Sequence, residues 1–186
     1  AHVRDSARGL AARGHAVGLA HTVPGVDRDF AAVFPTCVHL GAAWPDELRH
    51  VAAAFRADLI YLHKVDDASA LRRGAAPIVR MVHDHDLYCQ RRHYYRPVTG
   101  ALCDRAAGYL TCTLCAGGLV ERDRDARLGV HVRTVGARLR DLAATARMAG
   151  VLVASAFMGK TLRKNGVPAS HLHVVPLGVP PLSVPL

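Results

Sequence analysis

The sequence has no long hydrophobic run, and it lacks the short motifs that identify several large enzyme classes. No apolar stretch approaches the roughly 18 residues that a membrane-spanning helix needs, and no signal-peptide pattern is visible. The phosphate-binding loop of P-loop proteins, the dinucleotide-binding glycine fingerprint, the nucleophile elbow of α/β-hydrolases and the His-Glu-x-x-His motif of zinc proteases are all absent. These absences argue against a membrane-spanning protein and against each of those four classes.

Lysine is scarce, although the chain is strongly basic. The 24 lysine and arginine residues stand against 15 acidic ones, which gives a formal net charge of +9 and a pI near 9.9. Such a charge favours anionic partners, among them sugar nucleotides, phospholipid headgroups and nucleic acid. The excess of arginine over lysine, together with the many alanines, is typical of GC-rich coding and does not by itself indicate nucleic-acid binding.

Helical and strand patterns alternate along the chain, and 51% of its residues are apolar, which is enough for the core of one domain. The hydrophobic patterns predict helices over residues 2–13, 46–57, 66–73, 130–148 and 156–165, and strands over 15–21, 36–40, 58–63, 77–83, 150–154 and 171–176. This order is typical of an α/β fold with a parallel, Rossmann-like sheet and helices on both faces. We expect residues 1–179 to form a single domain, followed by a Pro-rich linker or tail over residues 180–186.

Four of the five cysteines, Cys89, Cys103, Cys112 and Cys115, fall between residues 89 and 115. They belong to a stretch of about residues 88–118, called the cysteine excursion here, whose glycines and aromatic residues argue against regular structure. A loop of this length needs a staple or a function, and four thiolates ending in Cys-x-x-Cys suit a structural, tetrahedral Zn²⁺. An iron–sulfur cluster on the same ligands is a less favoured alternative, and free thiols or a disulfide remain open. Cys37 is expected to be a buried apolar side chain in a strand.

Polar side chains follow two predicted strands at the point where each strand ends. His83 and Asp84 come directly after one strand, and His63 ends the strand before it. Ligands of open α/β sheets bind at the carboxyl ends of the strands, so these residues are candidates for catalysis and binding. Imidazole can donate to developing negative charge, and the carboxylate can orient it or accept a proton. Arg91 and Arg92 could hold a phosphate or carboxylate, although a solvated charge pair explains them slightly better.

Several segments, taken in order, resemble family 4 glycosyltransferases of the GT-B fold. The matching residues are His2-Val-Arg through Val17, Asp58-Leu-Ile-Tyr-Leu-His63, Val82-His-Asp84 with Cys89, Val151 to Met158, Asn165-Gly-Val-Pro168 and His173 to Val179. The segment with Cys89 is similar to a cysteine-containing subgroup of that family. The resemblance covers nearly the whole chain.

The resemblance implies that the chain is the acceptor-side, N-terminal domain of a hexosyltransferase that uses a nucleotide sugar as donor and a sugar or lipid-linked acceptor. In that family the histidine matching His83 contacts the donor sugar near the reacting centre. No catalytic divalent metal is implied, so a zinc ion here would be structural. The resemblance also implies a first strand before Ala1 and a C-terminal donor-binding domain after Val179, without which these residues would be nearly inactive.

Arg133, Arg140 and Arg147 recur every seven residues along a predicted helix and form a basic line. Most basic helix faces are simply solvated, but such a line can also rest on anionic headgroups. The expected localisation is cytoplasmic, and peripheral contact with the inner face of the membrane remains open. Two other functions remain open, namely a non-enzymatic, zinc-stapled Rossmann-like binding module and a basic nucleic-acid-binding zinc protein. Nucleic acid is not the expected partner, because neither a stacking platform nor a helix-turn-helix is visible.

Overall fold

The structure is a computed structural model that describes residues 2–65, 67–71, 74, 76–96, 98–116, 120–122, 130–132 and 134–176. The helices are α1 (His2–Ala11), α2 (Arg28–Ala31), α3 (Trp44–Ala54), α4 (Tyr109–Ala116), α5 (Val135–Thr145) and α6 (Ala156–Lys164). The strands are β1 (Gly18–His21), β2 (Thr36–His39), β3 (Ile60–Leu62), β4 (Ile78–Val82), β5 (Val120–Arg122), β6 (Val130–Val132), β7 (Gly150–Val153) and β8 (Leu172–Val174). The chain forms two compact units, residues 1–60 with 71–77 and residues 61–70 with 78–186.

The first unit contains a parallel pair of strands, β1 and β2, in a register that runs from Gly18 opposite Thr36 to His21 opposite His39. The short helix α2 between them was not predicted. It begins at Asp27, whose carboxylate accepts hydrogen bonds from two backbone amides of its first turn and so caps it. Cys37 is exposed, so the expectation that it is buried is wrong.

The second unit contains a four-stranded sheet in the order β3–β4–β7–β8. Strands β4 and β7 are parallel, with Val82 opposite Val153, and β7 and β8 are also parallel. Consecutive parallel strands need helical crossovers, and α5 and α6 supply them on either side of β7. The predicted α/β fold with parallel strands is therefore confirmed, and each of these strands lies within its predicted segment.

The core of the second unit is apolar and includes side chains from the cysteine excursion. Its buried members are Val82, Leu87, Tyr88, Tyr94, Leu142, Val151, Val153, Met158, Leu162 and Val167. Two of them, Tyr88 and Tyr94, each only 3% exposed, belong to the excursion. The first part of the excursion is therefore anchored by packing before any metal is considered.

A charged pair is buried among the described residues of the same unit. The guanidinium of Arg80, on β4, donates to both carboxylate oxygens of Asp141 and to the hydroxyl of Thr145, both on α5. Asp141 is 1% exposed, and its carboxylate also accepts the backbone amide of Ala68 over 3.0 Å. Buried charges persist only where partners satisfy them, so this pair fixes β4 against α5 and the turn at residues 68–70.

The predicted helix over residues 130–148 begins later than expected. Residues 130–132 form β6, which pairs antiparallel with β5, and the helix α5 starts at Val135. Valines at alternate positions suit a strand, and Thr134 caps the helix by accepting the amide of Ala137 over 3.2 Å. Of the predicted basic line on this helix, Arg140 and Arg147 are exposed, whereas Arg133 lies outside the described residues.

The prediction that the cysteine excursion lacks regular structure is wrong in its second half. Residues 109–116 form α4, and a tight turn earlier in the excursion is closed by a bridge between Tyr95 and Leu102. Cys112 and Cys115 lie one turn apart on α4. At the start of this helix the hydroxyl of Thr111 donates a hydrogen bond to the Gly108 carbonyl. Cys-x-x-Cys therefore lies on a helix.

The structure describes only part of the helix predicted at residues 66–73. Residues 68–70 form a 3₁₀ turn within the predicted helix at 66–73, and residues 66, 72 and 73 of that segment are not described. The single domain over residues 1–179 stays a prediction, and the tail at 180–186 lies outside the described residues. Within the part of the chain that the structure covers, no helix has the length and apolar character needed to cross a membrane.

Candidate active site

Two histidines meet where neighbouring strands of the four-stranded sheet end. His63 directly follows β3, and His83 directly follows β4. Nδ1 of His63 lies 2.9 Å from Nε2 of His83, and the ring centroids are 5.2 Å apart with the rings nearly parallel. One nitrogen of this contact must donate and the other must accept, so one proton lies between these two nitrogens. The structure places these two predicted site residues side by side, while their roles stay predictions.

An ion network surrounds the next predicted residue, Asp84. Nζ of Lys64 lies 2.8 Å from Oδ2 of Asp84 and 3.0 Å from Oδ2 of Asp86. The backbone amide of Asp86 also donates to Oδ1 of Asp84 over 2.9 Å. We call His63, Lys64, His83, Asp84 and Asp86 the strand-end cluster.

The electrostatics of the strand-end cluster keep its central ion pair charged. Partial burial acts to raise the pKa of Asp84, but the hydrogen bonds from Lys64 and from the Asp86 amide outweigh it, so this pKa lies below its ordinary value. The hydrogen bond to Asp84 is the main reason why the pKa of Lys64 lies above its ordinary value. Both groups are therefore ionised at neutral pH.

His85 belongs to an aromatic group and not to the ion network. Its Nδ1 lies 2.6 Å from the hydroxyl of Tyr88, and its ring stacks on Tyr94 at a centroid distance of 5.2 Å. Phe157, near the start of α6, meets it edge-on at 6.3 Å. Burial lowers the pKa of His85, although nearby carboxylates partly offset this, so the ring is neutral at physiological pH. The aromatic contacts hold the segment after β4 against α6.

A small cavity of about 30 Å³ adjoins the strand-end cluster. Its polar lining comes from Lys64, Arg80, His83, Asp84, Asp86 and Arg138. This volume is about that of one water molecule in the liquid, so the cavity has room for water and not for a sugar ring. Among the described residues, this cavity is therefore a small polar recess and not an enclosed pocket for a sugar.

The four clustered cysteines line a second, larger cavity of about 290 Å³ in the excursion. All four are free thiols that are partly buried. Burial raises the pKa of Cys115, the Arg91 charge lowers it, and the other three thiols raise it further. Among the described residues, however, no group of three or more His, Cys, Asp or Glu side chains is arranged so that it could hold a metal ion. The thiols share a cavity without forming a coordination shell, and the predicted zinc stays a prediction.

The structure separates the two arginines that the sequence put forward together. Arg91 lines the cysteine cavity, and its Nε is buried with no hydrogen-bond partner among the described residues. Arg92 is exposed, and its Nε lies 3.5 Å from Oδ1 of Asp86. Only Arg92 therefore adjoins the strand-end cluster, through its contact with Asp86.

Sequence reasoning missed Lys64, Asp86 and Arg80. Lys64 directly follows the residue that ends a predicted strand, which is the same signal that singled out His63. Asp86 lies in the run His-Asp-His-Asp, where the repeat of aspartate two positions after Asp84 could have indicated a second carboxylate in the same cluster. Arg80 carried a clearer signal, because a charged residue inside an apolar strand needs a buried partner.

Comparison with known proteins gives one finding. A family model described as Glycosyltransferase Family 4 matches residues 1–181. No curated protein and no solved structure matches the chain. The matched region spans the strand-end cluster, the cysteine excursion and every described helix and strand. The chain therefore belongs to glycosyltransferase family 4, the family of the N-terminal domains of GT-B glycosyltransferases.

Proposed function

We propose that this domain forms the acceptor side of an enzyme that transfers a hexosyl group from a nucleotide sugar. The observation that carries the proposal is the strand-end cluster, in which His63 and His83 are in contact beside an ionised Lys64–Asp84 pair. Family membership supplies the reaction class, and the cluster supplies polar groups where substrates of open α/β sheets bind.

In the proposed reaction the bond between the anomeric carbon and the nucleoside diphosphate breaks, and the diphosphate leaves with the electron pair. An acceptor hydroxyl forms the new bond to that carbon, and its proton passes to the departing diphosphate. His83 is proposed to donate a hydrogen bond to the donor sugar near the reacting carbon, with its ring orientation held by His63. A preorganised donor of this kind stabilises charge that develops in the transition state.

Asp84 is proposed to act as an acceptor of hydrogen bonds in its ionised form. Each of its oxygens already has one partner, Lys64 or the Asp86 amide, but a carboxylate oxygen can accept more than one hydrogen bond. It can therefore orient Lys64 and also accept from an acceptor hydroxyl. Lys64 and Arg92 are positively charged and are proposed to interact with a phosphate group of the substrate.

The remaining partners follow from the family and from charge. We propose a C-terminal donor-binding domain as the partner of this one, and near inactivity of these residues alone, because their cavity beside the cluster has room only for water. The acceptor is proposed to be a sugar or a lipid-linked sugar. The exposed Arg140 and Arg147 support peripheral contact with an anionic membrane on the cytoplasmic side.

The proposal includes a structural Zn²⁺ at the four cysteines, separate from the reaction. Within the proposal, the ion would hold the cysteine excursion and take no part in transfer. Neither the non-enzymatic binding module nor the nucleic-acid-binding protein gains support from a particular contact in the described residues.

The test is release of nucleoside diphosphate by the protein carrying both domains, assayed with UDP-glucose, UDP-N-acetylglucosamine and GDP-mannose in the presence of a membrane lipid extract. His83→Ala should lower turnover about 100-fold or more, the size of effect expected for a group that acts on the transition state. His50→Ala, at an exposed position on α3, is the matched control and should leave turnover unchanged. Equal turnover by His83→Ala and the wild-type protein would contradict the role of His83.

A further inference from the structure

The cysteine excursion brings into one cavity thiols that are separated by up to 26 positions in sequence. Cys89 precedes the tight turn, Cys103 follows it, and Cys112 and Cys115 project from α4, yet all four line one cavity. The sulfur of Cys112 also accepts the backbone amide of Gly108 at 3.5 Å. The thiolate is the form of cysteine that binds metals.

The donor set fits zinc in number and in chemistry. Four thiolates form the ligand set of many structural zinc sites, and two of them come from one helical turn here. What the described residues lack is a closed coordination shell, so coordination requires the side chains to draw together within the cavity. Metal binding would then be coupled to closure of the excursion.

The charge of such a centre identifies a further residue. A Zn²⁺ ion with four thiolates carries two negative charges, and these are costly in a partly buried, mostly apolar cavity. Among the arginines that line the cavity, Arg96 forms an ion pair with Asp104, and Arg105 is exposed. Arg91 differs from both, because its Nε is buried and has no hydrogen-bond partner within the described residues.

We propose that the cysteine cavity binds one Zn²⁺ through Cys89, Cys103, Cys112 and Cys115, and that Arg91 balances the charge of this centre. This inference rests on the structural zinc of the proposed function and reassigns Arg91 from substrate binding to metal binding. Arg91 is a positioning residue here, since it acts through the thiolates. Arg92, its neighbour in sequence, stays with the strand-end cluster.

The first experiment measures the metal. Protein purified without added metal should contain one zinc ion per chain by elemental analysis, and its cobalt-substituted form should show the visible absorption of a thiolate-bound ion. Cys112→Ser should lose both, whereas Cys37→Ser, at the one cysteine outside the excursion, should keep both. Equal zinc content in Cys112→Ser and the wild-type protein, or no zinc in the wild-type protein, would overturn the zinc centre.

The second experiment measures the rate of zinc release to the chromogenic chelator pyridylazoresorcinol. Arg91→Gln should release zinc about tenfold faster than the wild-type protein, which is the lower end of what outer-shell partners of metal ligands contribute. Arg92→Gln should release it at the wild-type rate. Arg91→Lys keeps the charge, so it should stay close to the wild-type rate even if the glutamine variant folds poorly. Equal rates for Arg91→Gln and Arg92→Gln would overturn the role of Arg91.

Failure of this inference is distinguishable from failure of the proposed function. Zinc content and release are read without any sugar substrate, and His83→Ala should leave both unchanged. Conversely, a protein that binds zinc as described but never turns over a nucleotide sugar would refute the proposed reaction and leave the metal centre in place.

Discussion

The strand-end cluster and the cysteine excursion are adjacent in sequence but are held in different ways. The cluster follows two neighbouring strands of one sheet, and its side chains contact one another at 2.8 to 3.0 Å. The excursion packs Tyr88 and Tyr94 into the core, with Cys89, Cys103 and Ala107 partly buried against it. It also exposes large apolar side chains, Val98 at 94% and Leu114 at 77%. A sheet thus positions functional side chains with its own hydrogen bonds, whereas an excursion with so little core needs another source of stability.

Removal of zinc should produce the largest difference between the two regions. We expect chelation to open the cysteine excursion while the strand-end cluster keeps its structure, because a structural zinc ion contributes folding free energy directly. Limited trypsin digestion, followed by mass spectrometry, should show rapid new cleavage after Arg105 and none of comparable rate within β4. Equal acceleration of cleavage in both regions would show that the two are not independent.

The second largest effect should come from the buried charged pair that supports the cluster. Asp141→Ala leaves the Arg80 guanidinium without its main partner, and breaking a buried pair in this way typically costs about 3–5 kcal/mol of unfolding free energy. Asp104→Ala breaks an arginine–aspartate pair of the excursion that is exposed to solvent, and it should leave stability unchanged within error. Urea denaturation of both variants measures the difference, and similar losses would contradict the contrast between the regions.

A smaller effect should appear in the pH dependence of stability. The pKa of Asp84 is lowered in the folded protein, so its contribution is complete above the ordinary carboxyl value of about 4 and is lost as pH falls through the folded value. The pKa of Lys64 is raised, so its contribution is present below about 10.4 and is lost at higher pH. Both side chains are well exposed, which limits the pair to about 1 kcal/mol or less. Asp84→Asn should flatten the acid side of a stability profile measured by urea denaturation, and an unchanged profile would exclude this contribution.

The smallest effect should come from the apolar surface of the excursion. Leu114→Gln replaces a side chain that is 77% exposed, and such surface substitutions usually change stability by no more than about 0.5 kcal/mol. Leu162→Ala, at a fully buried position of α6, should by contrast cost about 2–5 kcal/mol. Thermal unfolding of the two variants measures the difference in their stability. A large loss from Leu114→Gln would show that a part of the protein covers this residue.

The sequence predicts the sheet well because the strands of the second unit are short apolar runs with clear ends. The meeting of His63 and His83 could also be anticipated, since both residues follow strand ends and such ends meet at one edge of a sheet. The start of α5 was placed too early, because an apolar pattern alone does not separate the strand at residues 130–132 from the helix after Thr134.

What could not be predicted depends on contacts between distant residues. Nothing local to Arg80 shows that Asp141, 61 positions away, neutralises it. Likewise, the adjacent Arg91 and Arg92 are alike in sequence, and only the path of the chain in the excursion directs one to the thiols and the other to Asp86. The partner of each arginine can be identified only from the tertiary structure, because an arginine can pair with a carboxylate or lie beside thiols equally well.

The buried pair of Arg80 and Asp141 also constrains how this domain can evolve. Replacing either residue alone by an apolar one leaves an unpaired charge in the core. Replacing both by apolar residues of similar volume can leave the stability of the protein unchanged or raise it. A lineage can therefore leave this arrangement only through a compensated double change. Among descendants of this sequence we expect positions 80 and 141 to be substituted together or not at all.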